Sequence, residues 1–154
     1  MSGTPGKTIA ATVDIARGLH EVFGYVTDAA HLPDWQPDVS TAALDDPAHV
    51  RVGTRGHEVR HVMGTDRRIG WEVTVYDPDR RYAVRGIDGP VRAHVDVTFT
   101  PGATGTHVEY GIGFEGHGVG KLIAVLARRN ARKDVPAALD RLKQRLETGS
   151  RPGR

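Results

Sequence analysis

The chain has no cysteine, which removes disulfide staples, thiol nucleophiles and cysteine-type zinc sites from consideration. It has no apolar run approaching the ~18 residues that a membrane span requires. Its first residues, Met1-Ser2-Gly3-Thr4-Pro5-Gly6, lack the apolar segment of an export signal, so a cytoplasmic location is expected and a membrane is not an expected partner. Neither charge is in strong excess: 21 Lys and Arg stand against 19 Asp and Glu, and a formal net charge of +2 is too small to argue for nucleic acid. What is present is a balance of 38% hydrophobic and 26% charged residues, which folds rather than staying disordered. At 154 residues the chain reads as one domain, large enough to bury roughly two-thirds of its unfolded surface and still keep a small cavity.

Residues 1–6 and 148–154 are rich in Gly, Pro, Ser and Arg and are expected to be disordered tails around a single domain at 7–147. Within it the periodicity changes in a clear order. Ile9, Ala11, Val13 and Ile15 alternate with polar residues, which predicts a half-buried strand. Leu19, Val22, Phe23 and Val26 then follow helical spacing over 17–28, and a short second helix is expected over 29–32, stopped by Pro33. Six strands are predicted near 38–44, 53–63, 67–77, 80–87, 91–100 and 106–115, separated by turn sequences such as Gly64-Thr65-Asp66, Asp88-Gly89-Pro90 and Pro101-Gly102. Short connections favour an antiparallel meander. A long helix over 119–147 closes the chain, its apolar stripe read as Leu122, Val125, Leu126, Val135, Leu139, Leu142 and Leu146, with Pro136 expected to kink or break it. A twisted seven-stranded sheet curls as it grows, and the space between its concave face and the long helix is the expected ligand cavity.

Several stretches resemble one family. Val22-Phe23-Gly24-Tyr25-Val26-Thr27-Asp28 through Leu32-Pro33-Asp34-Trp35 is similar to its first-helix signature, and Val52-Gly53-Thr54-Arg55 to its strand-three opening. Trp71-Glu72-Val73-Thr74-Val75-Tyr76-Asp77-Pro78-Asp79-Arg80-Arg81-Tyr82 resembles its V-x-x-Y-x-P-x-R-R-L stretch, with Tyr82 where Leu is usual; Gly105-Thr106-His107-Val108-Glu109-Tyr110 resembles its G-T-x-V-x-Y strand. The family is the polyketide cyclase/dehydrase group of the SRPBCC superfamily. The resemblance implies an α+β helix-grip fold, shared with START lipid-transfer domains and birch-pollen-type allergens. Members include aromatase/cyclases, other biosynthetic enzymes and lipid or quinone binders, and no invariant catalytic set comes with the resemblance.

One motif argues for different chemistry. His57-Glu58-Val59-Arg60-His61 fits H-E-x-x-H, which on a helix puts two His one turn apart on a zinc ion. The third His of the longer metzincin pattern is replaced by Arg67, Gly53, Gly56 and Gly64 flank the motif, and no helical stripe runs through it. A strand is expected instead. There the two His share a face but sit ~13 Å apart at ~3.3 Å per residue, too far for one ion. No metal site is expected, and a zinc protease is only a remote alternative. On a strand, both His point either into the cavity or into solvent. Gly116-His117-Gly118-Val119-Gly120-Lys121 sits between strand and helix as a phosphate loop would, but it fails the Walker pattern and reads as a hinge. Arg128-Arg129-Asn130-Ala131-Arg132-Lys133 reads as a solvated face, with Arg129 nearest the apolar stripe and able to meet an anionic ligand tail.

The candidate site follows from parity. His57 and His61 are the candidate near-neutral acid/base groups, and Tyr82 and Tyr110 the candidates to polarise a carbonyl or orient a phenol. Trp71, Val73, Val84, Val97, Phe99, Ile112 and Phe114 are expected to line the cavity from the sheet, with Leu122, Leu126 and Arg129 from the long helix. Trp35 is read chiefly as a lock for the second helix and also as a ligand contact. The expected function is binding of a mostly apolar molecule by a cofactor-free polyketide cyclase, aromatase or dehydratase-like enzyme, with a non-catalytic lipid, quinone or metabolite binder as the alternative. The chain is expected to be a monomer or homodimer. Whether His57 and His61 face inward largely divides the enzyme from the binder.

Overall fold

A computed structural model of the protein describes residues 8–149, so most of both expected tails lies outside the described residues. The alternating segments form seven strands: β1 (Ile9–Ile15), β2 (Val39–Leu44), β3 (Arg55–Val62), β4 (Thr65–Asp77), β5 (Arg81–Gly86), β6 (Val91–Pro101) and β7 (Thr106–Gly116). They make one antiparallel sheet in the order β1-β7-β6-β5-β4-β3-β2, curved against a long C-terminal helix. Helix α1 (Leu19–Thr27), a 3-10 turn (Ala29–His31) and α2 (Leu32–Trp35) connect β1 and β2, which are neighbours in sequence and lie at opposite edges of the sheet. Pro33 does not stop the second helix. It occupies the first turn, where its missing N–H has no helical acceptor to lose, and the helix runs on to Trp35. The first hairpin turn also differs from expectation. It is Met63-Gly64, both with positive φ, the geometry a two-residue turn needs to match strand twist, and β4 therefore starts at Thr65.

Helix α3 (Gly120–Gln144) runs unbroken through Pro136, and a π turn follows at Arg145–Gly149. The exposed position of Pro136 leaves the unpaired carbonyl one turn earlier to solvent. Val135, Leu139, Leu142 and Leu146 of the expected stripe are buried, but the first turns of the helix depart from it. Leu122 and Val125 are 69% and 53% exposed, whereas Gly120, Ala124, Ala131, Val135, Leu139 and Leu142 are buried. The cause is a close approach at the helix start. A Cβ on Gly120 would collide with the Pro90 carbonyl, and His117 N–H donates to that same oxygen at 3.2 Å. With Gly120 held against the β5–β6 turn, Leu122 lies ~200° round the helix at ~100° per residue, on the solvent side.

Helix α3 lies over β1 and β7 and touches β6. Its C-terminal half and the turn after it carry large residues, and there the core closes: Leu139, Leu142 and Leu146 are buried in one cluster with Ile15, Phe99 and Val108, and Phe23 packs edge-on against Phe99. Its N-terminal half turns small residues to the sheet. The fold is thus filled at the end carrying the β6–β7 turn and thinner toward the β7–α3 link. No helix among the described residues is long and apolar enough to cross a membrane.

A polar latch holds the C-terminal end. Glu147 accepts from Lys143 Nζ and from the Ala16 backbone N–H, both at 2.8 Å, and Arg17 Nε donates to the Leu146 carbonyl at 2.8 Å. The Lys143 and Ala16 donors hold the Glu147 carboxyl below its ordinary range. Unfolding restores the ordinary value. The stabilisation is therefore complete above that value and is lost as pH falls through the lowered one. Glu147→Gln is expected to flatten the acid limb of a stability–pH curve measured by urea unfolding.

Candidate functional site

The site starts from β3, where parity decides the chemistry. Gly56, Glu58, Arg60 and Val62 face the concave side; His57, Val59 and His61 face out. Gly56 is required by its neighbour: a Cβ there would sit 2.6 Å from the Trp71 indole and 2.9 Å from the Ala43 carbonyl. Absence of a side chain lets the Trp71 ring lie across β3, and this packing sets which parity of the strand turns inward. The expected catalytic pair His57 and His61 is thereby placed outside. His57 is half-buried on the outer face, and His61 is exposed with Nδ1 2.9 Å from Asp66 Oδ1. The zinc alternative falls for the same reason: the motif is a strand, and no group of three or more metal-ligating side chains exists among the described residues.

The groups that do turn inward from this motif are the ones the sequence pattern does not single out. Glu58 is 8% exposed, and its Oε2 accepts from Arg60 Nε at 2.6 Å. Arg60 Nη2 donates to Gln36 Oε1 at 2.7 Å, tying β3 to the residue that follows α2. Opposite them stands Tyr110 on β7. Burial pushes its hydroxyl pKa up to about 12, with the Arg60 charge pulling down and the Glu58 charge pushing up. Tyr82, on the same row of the sheet, is pushed above the ordinary tyrosine range by burial and then by Tyr76. Both hydroxyls therefore stay protonated at neutral pH, as hydrogen-bond donors. Neither makes a hydrogen bond within the described residues.

Trp35 enters from α2 and meets Tyr110 edge-on, ring centroids 6.3 Å apart. The sequence signature around it is a staple. Asp34 accepts from the Tyr25 hydroxyl at 2.9 Å and meets His31 Nδ1 at 3.0 Å, while the Tyr25 and His31 rings stack at 4.1 Å. Burial and then the Asp34 bond push the Tyr25 hydroxyl up. This cluster fixes α2 to α1 and so aims Trp35. The indole Nε1 atoms of Trp35 and Trp71 are buried without a partner among the described residues.

Accessibility varies from row to row across the concave face. Val108 and Phe99 pair at the bottom, and Tyr110 and Val97 pair one row up; all four are buried, as is Val73. In the next row Ile112, Val95 and Val84 are only half-buried although they lie on central strands, while Val73, which continues the row on β4, is covered; Phe114 above Ile112 is also half-buried. Of the expected lining, then, Trp35, Trp71, Val73, Val97 and Phe99 form a closed floor, and Val84, Ile112 and Phe114 an accessible wall. Leu126 is half-buried on α3, and Leu122 and Arg129 face solvent. The basic residue on the inner phase is Arg128, four residues after Ala124 and three before Ala131. The sequence signal for it is this spacing from small residues rather than from leucines. A separate hollow of about 160 Å³, lined by Asp14, Ile15 and residues 102–106, lies at the closed end and shares none of these groups.

The family model for polyketide cyclase / dehydrase and lipid transport matches residues 7–147. The chain belongs to this family. No curated protein matches it. Among solved structures, TTHA0849 from Thermus thermophilus superposes with a TM-score of 0.76 at 21% identity, covering 94% of this chain and 100% of that one. A START superfamily protein from Mycobacterium smegmatis gives 0.72 at 15% identity over 94% and 100%. The di-domain ARO/CYC StfQ from the steffimycin biosynthetic pathway gives 0.70 at 12% identity, over 93% of this chain and 52% of that one. At these identities the likeness shows the helix-grip fold and no particular chemistry.

Proposed function

We propose that this member of the polyketide cyclase/dehydrase and lipid transport family binds a hydrophobic small molecule on its concave face, without a cofactor and without histidine acid–base chemistry. The observation that carries the reading is the half-buried row Val84, Val95 and Ile112: apolar side chains on central strands, facing inward, and still reachable. None of the eight histidines is buried, and the four on strands, His57, His61, His94 and His107, all take the outer parity. The inner tyrosines hold their protons. The site thus supplies shape, apolar surface and fixed donors, which suits binding more than proton transfer at neutral pH.

The two tryptophans of the chain, Trp35 and Trp71, both stand at the site, so intrinsic fluorescence reads it directly. Titration with the neutral fluorophore N-phenyl-1-naphthylamine is expected to quench them saturably at one molecule per chain. Linear, non-saturating quenching would count against the reading.

A second reading is favoured by Tyr110 beside the Glu58–Arg60 pair. Donors fixed there would polarise a ketone oxygen and steer a flexible polyketone by cavity shape, as in a cofactor-free cyclase. Tyr110→Phe and Arg60→Met separate the two: unchanged affinity with a lost cyclised product would favour the enzyme.

A further inference from the structure

We propose that the molecule bound on the concave face carries a carboxylate, and that Arg128 binds it. The proposal rests on the ligand-site reading above and adds the chemical class of the ligand.

Arg128 lies on the buried phase of α3, between Ala124 and Ala131, both almost wholly covered. Its stem therefore runs into the layer between α3 and β7 instead of into water. The guanidinium is poorly matched there. Its Nε is buried with no hydrogen-bond partner among the described residues, and Nη2 makes only a long 3.4 Å contact with the Phe114 carbonyl. Nε–H and an Nη–H on one side form the edge that grips a carboxylate through two parallel bonds. A single backbone carbonyl cannot fill that edge, since it presents one oxygen at a long distance.

The charges on the inner face point the same way. Glu58 and Arg60 neutralise each other at 2.6 Å. Arg128 has no ion pair among the described residues, and arginine does not lose its proton in proteins. Among the charged side chains covered on this face, that leaves Arg128 uncompensated; Arg67, of the same parity on β4, is exposed to solvent. The two other buried side-chain polar atoms without partners are the indole N–H groups of Trp35 and Trp71. All three are donors. The unmet demand of the site is for acceptors, and a cationic ligand would worsen it, whereas one carboxylate matches the charge and the edge together. Phe114 belongs to the accessible wall next to Ile112, so the geometry puts the carboxylate toward the β7–α3 link and the apolar body along Ile112, Val95 and Val84.

The test compares cis-parinaric acid with its methyl ester, which share one apolar body and differ in charge, by energy transfer from tryptophan to the polyene. The wild-type chain is expected to bind the acid at least tenfold more tightly than the ester. Arg128→Gln should bring the acid down to the ester's affinity and leave the ester unchanged; Arg128→Lys, which keeps the charge and loses the paired edge, should restore part of the preference. Equal binding of acid and ester by the wild type, or an Arg128→Gln variant that keeps the preference or weakens both probes alike, would overturn the proposal while leaving the ligand site standing. Absence of binding by either probe would overturn both.

Discussion

Arg60→Ala is expected to lower the unfolding free energy by about 3 kcal/mol, the low end of the range for breaking a buried ion pair. The low end applies because the Arg60 side chain is about a quarter exposed while that of Glu58 is only 10% exposed. Removing the guanidinium leaves the Glu58 carboxylate enclosed without its 2.6 Å partner and releases Gln36 from β3. For a chain of this size the loss corresponds to a fall in Tm of roughly 6–12 °C. The double variant Glu58→Leu/Arg60→Met removes both charges at similar volume and should recover most of the stability, because the pair's attraction barely exceeds the cost of taking its members out of water. Urea unfolding of the three proteins checks both statements. A single variant costing under ~1 kcal/mol would mean that the pair is effectively solvated, as surface pairs are.

Val95→Phe is expected to weaken N-phenyl-1-naphthylamine binding at least tenfold and to leave stability nearly intact. Val95 stands between Val84 and Ile112 in register, in the half-buried row, so a ring added there occupies space the ligand would use. The same change one row deeper gives the contrast. Val97 is 1% exposed between Tyr82 and Tyr110, and Val97→Phe should destabilise by about 1–3 kcal/mol, the usual cost of overpacking a closed core. Tryptophan quenching and urea unfolding on both variants separate the rows. Unchanged affinity in Val95→Phe would place the binding surface elsewhere.

Much of the fold is legible in the residues. Period-two alternation marks β1, β6 and β7 because one face of each is covered and the other is wet, and in β6 and β7 it locates even the inner residues. The site is only partly legible. Tyr82, Tyr110, Trp35 and Trp71 stand on alternating or signature segments and can be picked out. Glu58 and Arg60 cannot, because each face of β3 carries both apolar and polar side chains: Val59 lies with His57 and His61, Val62 with Glu58 and Arg60. A binary pattern with no apolar majority assigns no face. Arg128 escapes for a related reason. Leu122, Val125 and Leu126 form a plausible stripe, and leucine outweighs alanine in any reading by hydrophobicity.

The sequence by itself determined the order of elements, the antiparallel meander, the long closing helix and the strand nature of the HEVRH motif, since each rests on local periodicity and turn chemistry. Only the tertiary structure decided which way two of those elements face. Gly56 yields its space to Trp71 and turns Glu58 and Arg60 inward, with both histidines outside. Gly120 closes on the Pro90 carbonyl and turns Arg128 inward, with Leu122 outside. Both are contacts between residues far apart in the chain, made where a side chain is missing, and spacing along the chain carries no record of them.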